Sequence, residues 1–136
     1  MFYEIAIKVS RLQENGKEKD VIERYITDCE LFAEAEATGM KEYSDYQLKG
    51  DVVAIKRSNI YEIVNQSKYD NEKLFKAKIV SIFVDENGKE KEQPYHVLLN
   101  ASDMDEANKI MQEYMKAGMA DFLLLSITET KILEVI

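Results

Sequence analysis

Glu14-Asn15-Gly16-Lys17-Glu18-Lys19 recurs unchanged as Glu86-Asn87-Gly88-Lys89-Glu90-Lys91, an offset of 72 residues. The same offset carries much of the flanking pattern without a gap. Ile7 maps to Ile79, Glu34-Ala35 to Glu106-Ala107, Ile55 to Ile127, Ile60 to Ile132 and Glu62 to Glu134. A hexapeptide of this composition is ordinary for a surface hairpin, but matches spread from start to end mark an internal duplication. Any fold for this chain must therefore be buildable twice.

The repeat places a first unit at residues 1–64, a connection at 65–73 and a second unit at 74–136. Units this small bury only about 60% of the surface their unfolded chains expose. They are thus expected to share a core or a sheet. The connection, Asn65 to Lys73, is polar throughout apart from Tyr69.

Within the first unit, Tyr3, Ile5, Ile7 and Val9 alternate with Glu4, Lys8 and Ser10, the period of a half-buried strand. Asn15-Gly16 predicts a tight hairpin, because both residues can accept positive φ. A returning strand follows over about Val21 to Asp28. From Glu30 the period lengthens, with Phe32, Ala35, Gly39 and Tyr43 recurring as on one face of a helix. Gly39 weakens that helix by about 1 kcal/mol but permits close approach to a sheet. Val52 to Arg57 and Ile60 to Val64 read as one bent strand or two short ones, with the bend at Ser58-Asn59.

The second unit follows the same plan. A strand from Leu74 to Val84 turns at Asn87-Gly88 and returns through Tyr95 to Leu99, with Pro94 at its start. Ser102 and Asp105 have capping-box spacing ahead of a helical stripe of Met104, Ala107, Met111 and Met115, broadened by Ile110 and Tyr114. Extended segments at Asp121 to Thr128 and Lys131 to Ile136 close the unit. The expected fold class is α+β, with two antiparallel β-β-α-β units, each with one helix packed on a sheet. Stacking of the units as a pseudo-two-fold pair and merging of their sheets both remain open.

Charge narrows the partners. The net charge of -8 divides evenly, with nine Lys/Arg and thirteen Asp/Glu in residues 1–64 and the same numbers in 65–136. That balance opposes nonspecific attraction to phosphate and anionic lipid. Cys29 is the only cysteine, which excludes an intrachain disulfide and fits a reducing, cytoplasmic setting. The N-terminus lacks a basic segment followed by an apolar run, and the longest apolar stretch, Phe122 to Leu125, is too short to span a membrane.

Chemical signatures are scarce. The sequence has no Walker loop, dinucleotide-binding glycine pattern, His/Cys zinc cluster or HExxH motif. Cys29 and His96 lack a third group to orient a dyad, and a buried strand-end thiol and a surface strand imidazole are the simpler readings. Asp103, Asp105 and Glu106 are explained by a helix start. Glu34 and Glu106 occupy equivalent places, where first-turn helix charge competes with a shared metal or acid/base site. No cofactor is expected, and the chain reads as non-enzymatic.

Aromatic contact groups are more informative. Tyr43, Tyr46 and Tyr61 offer amphipathic surface at low ordering cost, and Lys56-Arg57 lies close by in sequence. These five residues form the candidate partner-binding set. The basic pair beside Tyr61 also fits a single-stranded nucleic acid, with phosphate contacts from Lys56 and Arg57 and a base stacked on Tyr61. The second copy replaces the pair with Thr128-Glu129.

Glu23-Arg24-Tyr25-Ile26-Thr27-Asp28-Cys29, followed by Phe32-Ala33-Glu34-Ala35-Glu36-Ala37, resembles an uncharacterised Bacteroides and phage-associated family of unknown function, number 4494. The similarity continues through Asn100-Ala101-Ser102-Asp103, Met119-Ala120-Asp121 and Thr128-Glu129-Thr130. Cys29 stands where a small alanine is expected, and Leu31 where a small or polar residue is. The resemblance transfers no active site. It implies a phage or mobile-element protein, and with the composition it gives the leading expectation of an adaptor or inhibitor that binds a host or phage protein. Direct single-stranded nucleic-acid binding and acidic mimicry of nucleic acid are the alternatives. Oligomeric state is left open.

Overall fold

Phe2–Leu12 (β1) and Glu18–Asp28 (β2) pair antiparallel in unbroken register, from Phe2 opposite Asp28 to Leu12 opposite Glu18. The computed structural model describes residues 1–45, 48–65, 72–118 and 121–136. After β2 come Phe32–Asp45 (α1), Gly50–Arg57 (β3) and Ile60–Val64 (β4). The second copy supplies Lys73–Val84 (β5), Glu90–Ala101 (β6), Met104–Ala117 (α2), Asp121–Glu129 (β7) and Ile132–Val135 (β8). The fold is α+β, with two similar β-β-α-β units whose helices each pack against a sheet.

The two sheets have orders β3-β1-β2-β8 and β4-β6-β5-β7. Each takes its outer fourth strand from the other sequence copy. β8 pairs parallel to β2, and β4 pairs parallel to β6. One compact unit accordingly comprises Met1–Asn59 with Lys131–Ile136, and the other Ile60–Thr130. These units differ from the sequence repeats 1–64 and 74–136 by the exchange of the last strand. The segments on either side of Ser58-Asn59 are two strands in different sheets, so the pair is a crossing between units.

The duplication reaches the irregularities. β1 and β3 shift register between Ala6 and Ile7, and β5 and β7 between Lys78 and Ile79, which leaves Val53 and Leu125 as extra residues. The parallel pairings shift where Leu133 and Tyr61 are extra. Both hairpin turns are closed the same way. Gly16 and Gly88 donate to Gln13 and Asp85 at 3.0 Å, while the amides of Gln13 and Asp85 donate to the carbonyls of Lys17 and Lys89 at 2.8 Å. Within the two turns only Gly16 and Gly88 take positive φ, 79° and 77°. The turn is thus a glycine-bulge hairpin, in which the asparagine's tolerance of positive φ is not used. Asp85 Oδ1 accepts from the amides of Asn87 and Lys89, which holds its turn in this form.

Two further boundaries moved. β6 starts at Glu90, so Pro94 lies inside the strand rather than at its start. It is tolerated because β4 joins that side of β6 only at His96, leaving Pro94 on an unpaired flank. The α2 cap is Asp103, whose Oδ1 accepts from the Glu106 amide at 2.8 Å, and the Ser102 hydroxyl donates to Glu106 Oε2 at 2.8 Å. The capping spacing therefore runs from Asp103 to Glu106, one residue later than Ser102 and Asp105.

Each core lies between one helix and one sheet face. Tyr3, Ile5, Ile7, Val9, Tyr25 and Ala35 form the first, with Val52, Ile55 and Tyr43 packed against it. Phe75, Ala77, Ile79, Val97, Leu99, Ala107 and Met111 form most of the second. The duplicated position 39/111 differs sharply between them. A Cβ on Gly39 would sit 2.9 Å from Ile5 Cγ2 and 3.2 Å from Val52 Cγ2, so the missing side chain lets α1 lie close on its sheet. Met111 is fully buried at the equivalent place and fills the space between α2 and its own sheet.

Gly39→Ala is expected to destabilise by about 1 kcal/mol, because overpacking against Ile5 outweighs the gain in helix propensity. Met111→Ala should cost about 2–5 kcal/mol by leaving a cavity. Urea midpoints of the two variants against the parent check both values.

Candidate binding cleft

Tyr95 faces α2 because it shares the inward alternation of Val97 and Leu99 along β6. Beside it, the extra residue in β4 presents Tyr61, which is 63% exposed. The two rings lie 4.9 Å apart at an interplanar angle of 57°. Glu62 follows, and Tyr114 reaches it from the last turns of α2, with the phenol donating to Glu62 Oε2 at 2.6 Å. Burial and this hydrogen bond push the Tyr114 phenol well above its ordinary pKa, so it stays a donor.

These side chains wall a cleft of about 430 Å³ in the second unit. Ile79 and Ser81 of β5 also line it, and Phe122 and Gly118 stand together in its wall. A Cβ on Gly118 would meet Phe122 Cε2 at 2.9 Å, so glycine is what lets that ring in. Glu62 is the only acidic or basic side chain among the described residues of the lining. The cleft is therefore aromatic, largely apolar and singly anionic. Its volume falls in the range of small-ligand and side-chain pockets, about 300–1,000 Å³.

The equivalent region of the first unit is closed. Ile7, Val9, Glu23 and Glu42 stand where the second unit has Ile79, Ser81, Tyr95 and Tyr114, and they surround a void of only about 10 Å³. Three features fill it. Gly39 brings the helix close. The Tyr43 ring lies over Gly50, with Cγ 2.8 Å from where a Cβ would be. Arg11 donates from Nε and Nη2 to the two oxygens of Glu23 at 2.7 and 2.9 Å, and the Tyr25 hydroxyl donates to Glu23 Oε2 at 2.6 Å. The Arg11 guanidinium and Tyr25 hydrogen bonds hold the Glu23 carboxyl below its ordinary pKa. Glu42 goes the other way, raised by burial and by the charges of Glu134, Asp45 and Glu23.

The five residues expected to contact a partner are spread over both units. Tyr43 packs against the first core. Lys56 and Arg57 end β3, and Lys56 Nζ lies 3.8 Å from Glu4 Oε2. Tyr61 belongs to the second unit and lines the cleft. Tyr46 lies outside the described residues, as does Tyr69. The cleft residues Tyr95, Tyr114 and Glu62 were missed as contact groups. Their signal was present in the repeat, since tyrosine replaces glutamate at 23/95 and at 42/114.

Cys29, His96, Glu34 and Glu106 lie on different elements or connections. The Cys29 thiol donates to the Leu31 carbonyl at 3.4 Å, and burial raises its pKa, the opposite of an activated thiolate. His96 is half-buried on β6, opposite Lys78, and burial with Lys76 and Lys78 lowers its pKa. Glu34 and Glu106 both sit in first helical turns. Among the described residues, no group of three or more His, Cys, Asp or Glu is placed to hold a metal ion, and no helix is long and apolar enough to cross a membrane.

The chain belongs to the family described as a domain of unknown function, DUF4494, whose model matches residues 1–136. No curated protein matches it.

The carboxylates of the closed region give opposite pH responses. Glu23→Gln should cost about 1 kcal/mol at neutral pH, allowing for solvent screening at half-exposed Arg11. That deficit should shrink as pH falls below the ordinary glutamate value of 4.5 and vanish only below the depressed folded value, where Glu23 in the parent loses its charge. Glu42→Gln should instead stabilise at neutral pH, and its advantage should fade as acid protonates Glu42 in the parent. Chemical denaturation of the three proteins between pH 3 and pH 8, roughly the range over which carboxylates titrate, reads both signs.

Proposed function

We propose that the protein is a non-enzymatic binding protein, an adaptor or inhibitor employed by a phage or mobile element, which engages a protein partner through the second-unit cleft. The observation that carries this reading is the open pocket of about 430 Å³ walled by Tyr61, Tyr95 and Tyr114. Tyrosines of this kind combine apolar area with a polar tip and lose little rotamer freedom when bound, which is why they concentrate at contact sites. Tyr61 is held out by a strand irregularity in place of finishing a core.

A protein fits this surface better than a nucleic acid. The net charge is -8, and Lys56 already has Glu4 close by. The stacking residue Tyr61 adjoins Glu62, whose charge would repel a phosphate backbone. A cytoplasmic setting fits the single free thiol.

Affinity capture from native host lysate, with and without nuclease, tests the proposal. A discrete protein retained after nuclease treatment by the parent and by Lys56→Ala/Arg57→Ala, but lost with Tyr61→Ser/Glu62→Gln, is the expected result. Capture that disappears with nuclease would assign the tether to nucleic acid. Capture that survives the cleft substitutions would move the contact surface elsewhere.

A further inference from the structure

The first unit fills its copy of the pocket with a side chain of its own. Arg11 lies among Glu23, Tyr25, Tyr43 and Glu42, a guanidinium held by carboxylate and flanked by tyrosines. At the duplicated position the second unit has Phe83, which is 46% exposed and does not line the cleft. No cation stands at this position, and the residues around it differ, with Tyr95, Val97, Tyr114 and Met115 in place of Glu23, Tyr25, Glu42 and Tyr43. Three tyrosines line the space, and Glu62 supplies one negative charge.

We infer that the second-unit cleft is a guanidinium site, built to take an arginine side chain from a partner protein. The inference relies on the binding-protein reading above for the source of the arginine, but its chemistry stands on the cleft itself. Tyrosine faces attract a planar cation through their ring quadrupoles, and a guanidinium can stack where a compact ammonium cannot. Tyr114 occupies Glu62 Oε2, which leaves Oε1 to accept from the incoming fork. In the first unit the Glu23 carboxylate accepts from the Arg11 guanidinium and from the Tyr25 hydroxyl at once. The acidic excess of the chain steers such a partner inward.

Amide NMR of the full chain, titrated with N-acetyl-arginine N-methylamide, provides the test. Its neutral isostere, N-acetyl-citrulline N-methylamide, separates charge from shape. Saturable shifts at Tyr95, Tyr114, Ala117 and Gly118 are expected with arginine, and about tenfold weaker binding with citrulline. Glu62→Gln should weaken arginine binding by about tenfold while keeping an acceptor for the Tyr114 hydroxyl. Tyr61→Leu, at an exposed position, should weaken it severalfold.

Equal binding of citrulline, unchanged affinity in Glu62→Gln, or no saturable shift at the cleft would each overturn the inference. The readings fail separately. Cleft-dependent, nuclease-resistant capture with no arginine binding leaves a binding protein with a different ligand. Specific arginine binding without a captured protein keeps the guanidinium site and removes the adaptor.

Discussion

How closely each helix can lie on its sheet is set by one duplicated position, and much of the difference between the units descends from it. At residue 39 there is no side chain, and Ile5 and Val52 come up against the helix backbone. At residue 111 a buried methionine has to be accommodated in the same layer. A close-packed interior has little freedom to absorb such a difference locally. Its neighbours differ in concert. Tyr43 lies over Gly50 in the first unit, whereas Met115 and Phe122 occupy those duplicated positions in the second. The first region ends as a void smaller than a side chain, and the second as an open cleft.

The exchanged strands answer the size problem of each half. A β-β-α-β segment of this length buries too little apolar surface to be robust alone. Here each sheet has its fourth strand only when both copies are present, because β4 and β8 pair with the partner copy's second strand. The exchange also places Glu62 beside Tyr114 and Glu134 near Glu42. A residue from one copy therefore completes the electrostatics of the other copy's helix end. Folding of the two halves is coupled through backbone hydrogen bonds at both sheet edges.

Much of this was legible in sequence for a definite reason. Period-two alternation in Tyr3, Ile5, Ile7 and Val9 and period-3.6 spacing in Ala107, Met111 and Met115 are properties of single elements, and the repeat confirmed them twice. The close approach at Gly39 was also readable, since a glycine in an otherwise good helix needs a steric reason. The destination of β4 and β8 was not. Strand pairing is a nonlocal choice, and Ile60 to Val64 has the same pattern whichever sheet it joins. The cleft was hidden for a related reason. Tyr61, Tyr95 and Tyr114 are far apart in the chain and meet only after that exchange, while Tyr43 and Lys56-Arg57, nearer to Tyr61 in sequence, belong to the first unit.

Duplication followed by divergence gives the asymmetry a physical logic. A buried or half-buried ion pair is tolerable when both charges and their hydrogen bonds are satisfied within the unit, as with Arg11, Glu23 and Tyr25. Removing only the arginine would leave a carboxylate facing an apolar wall. The second copy avoids that cost by carrying tyrosine at 95 and 114 in place of glutamate, and it retains a single carboxylate, Glu62, tied to a neutral donor. The scaffold tolerates this because the altered side chains lie at the mouth of the helix–sheet layer, while Phe75, Ala77, Val97 and Leu99 keep the core beneath them filled. The second unit can thus hold an open, polar-rimmed space without losing the packing that defines its fold, which is the condition any binding site on a small domain must meet.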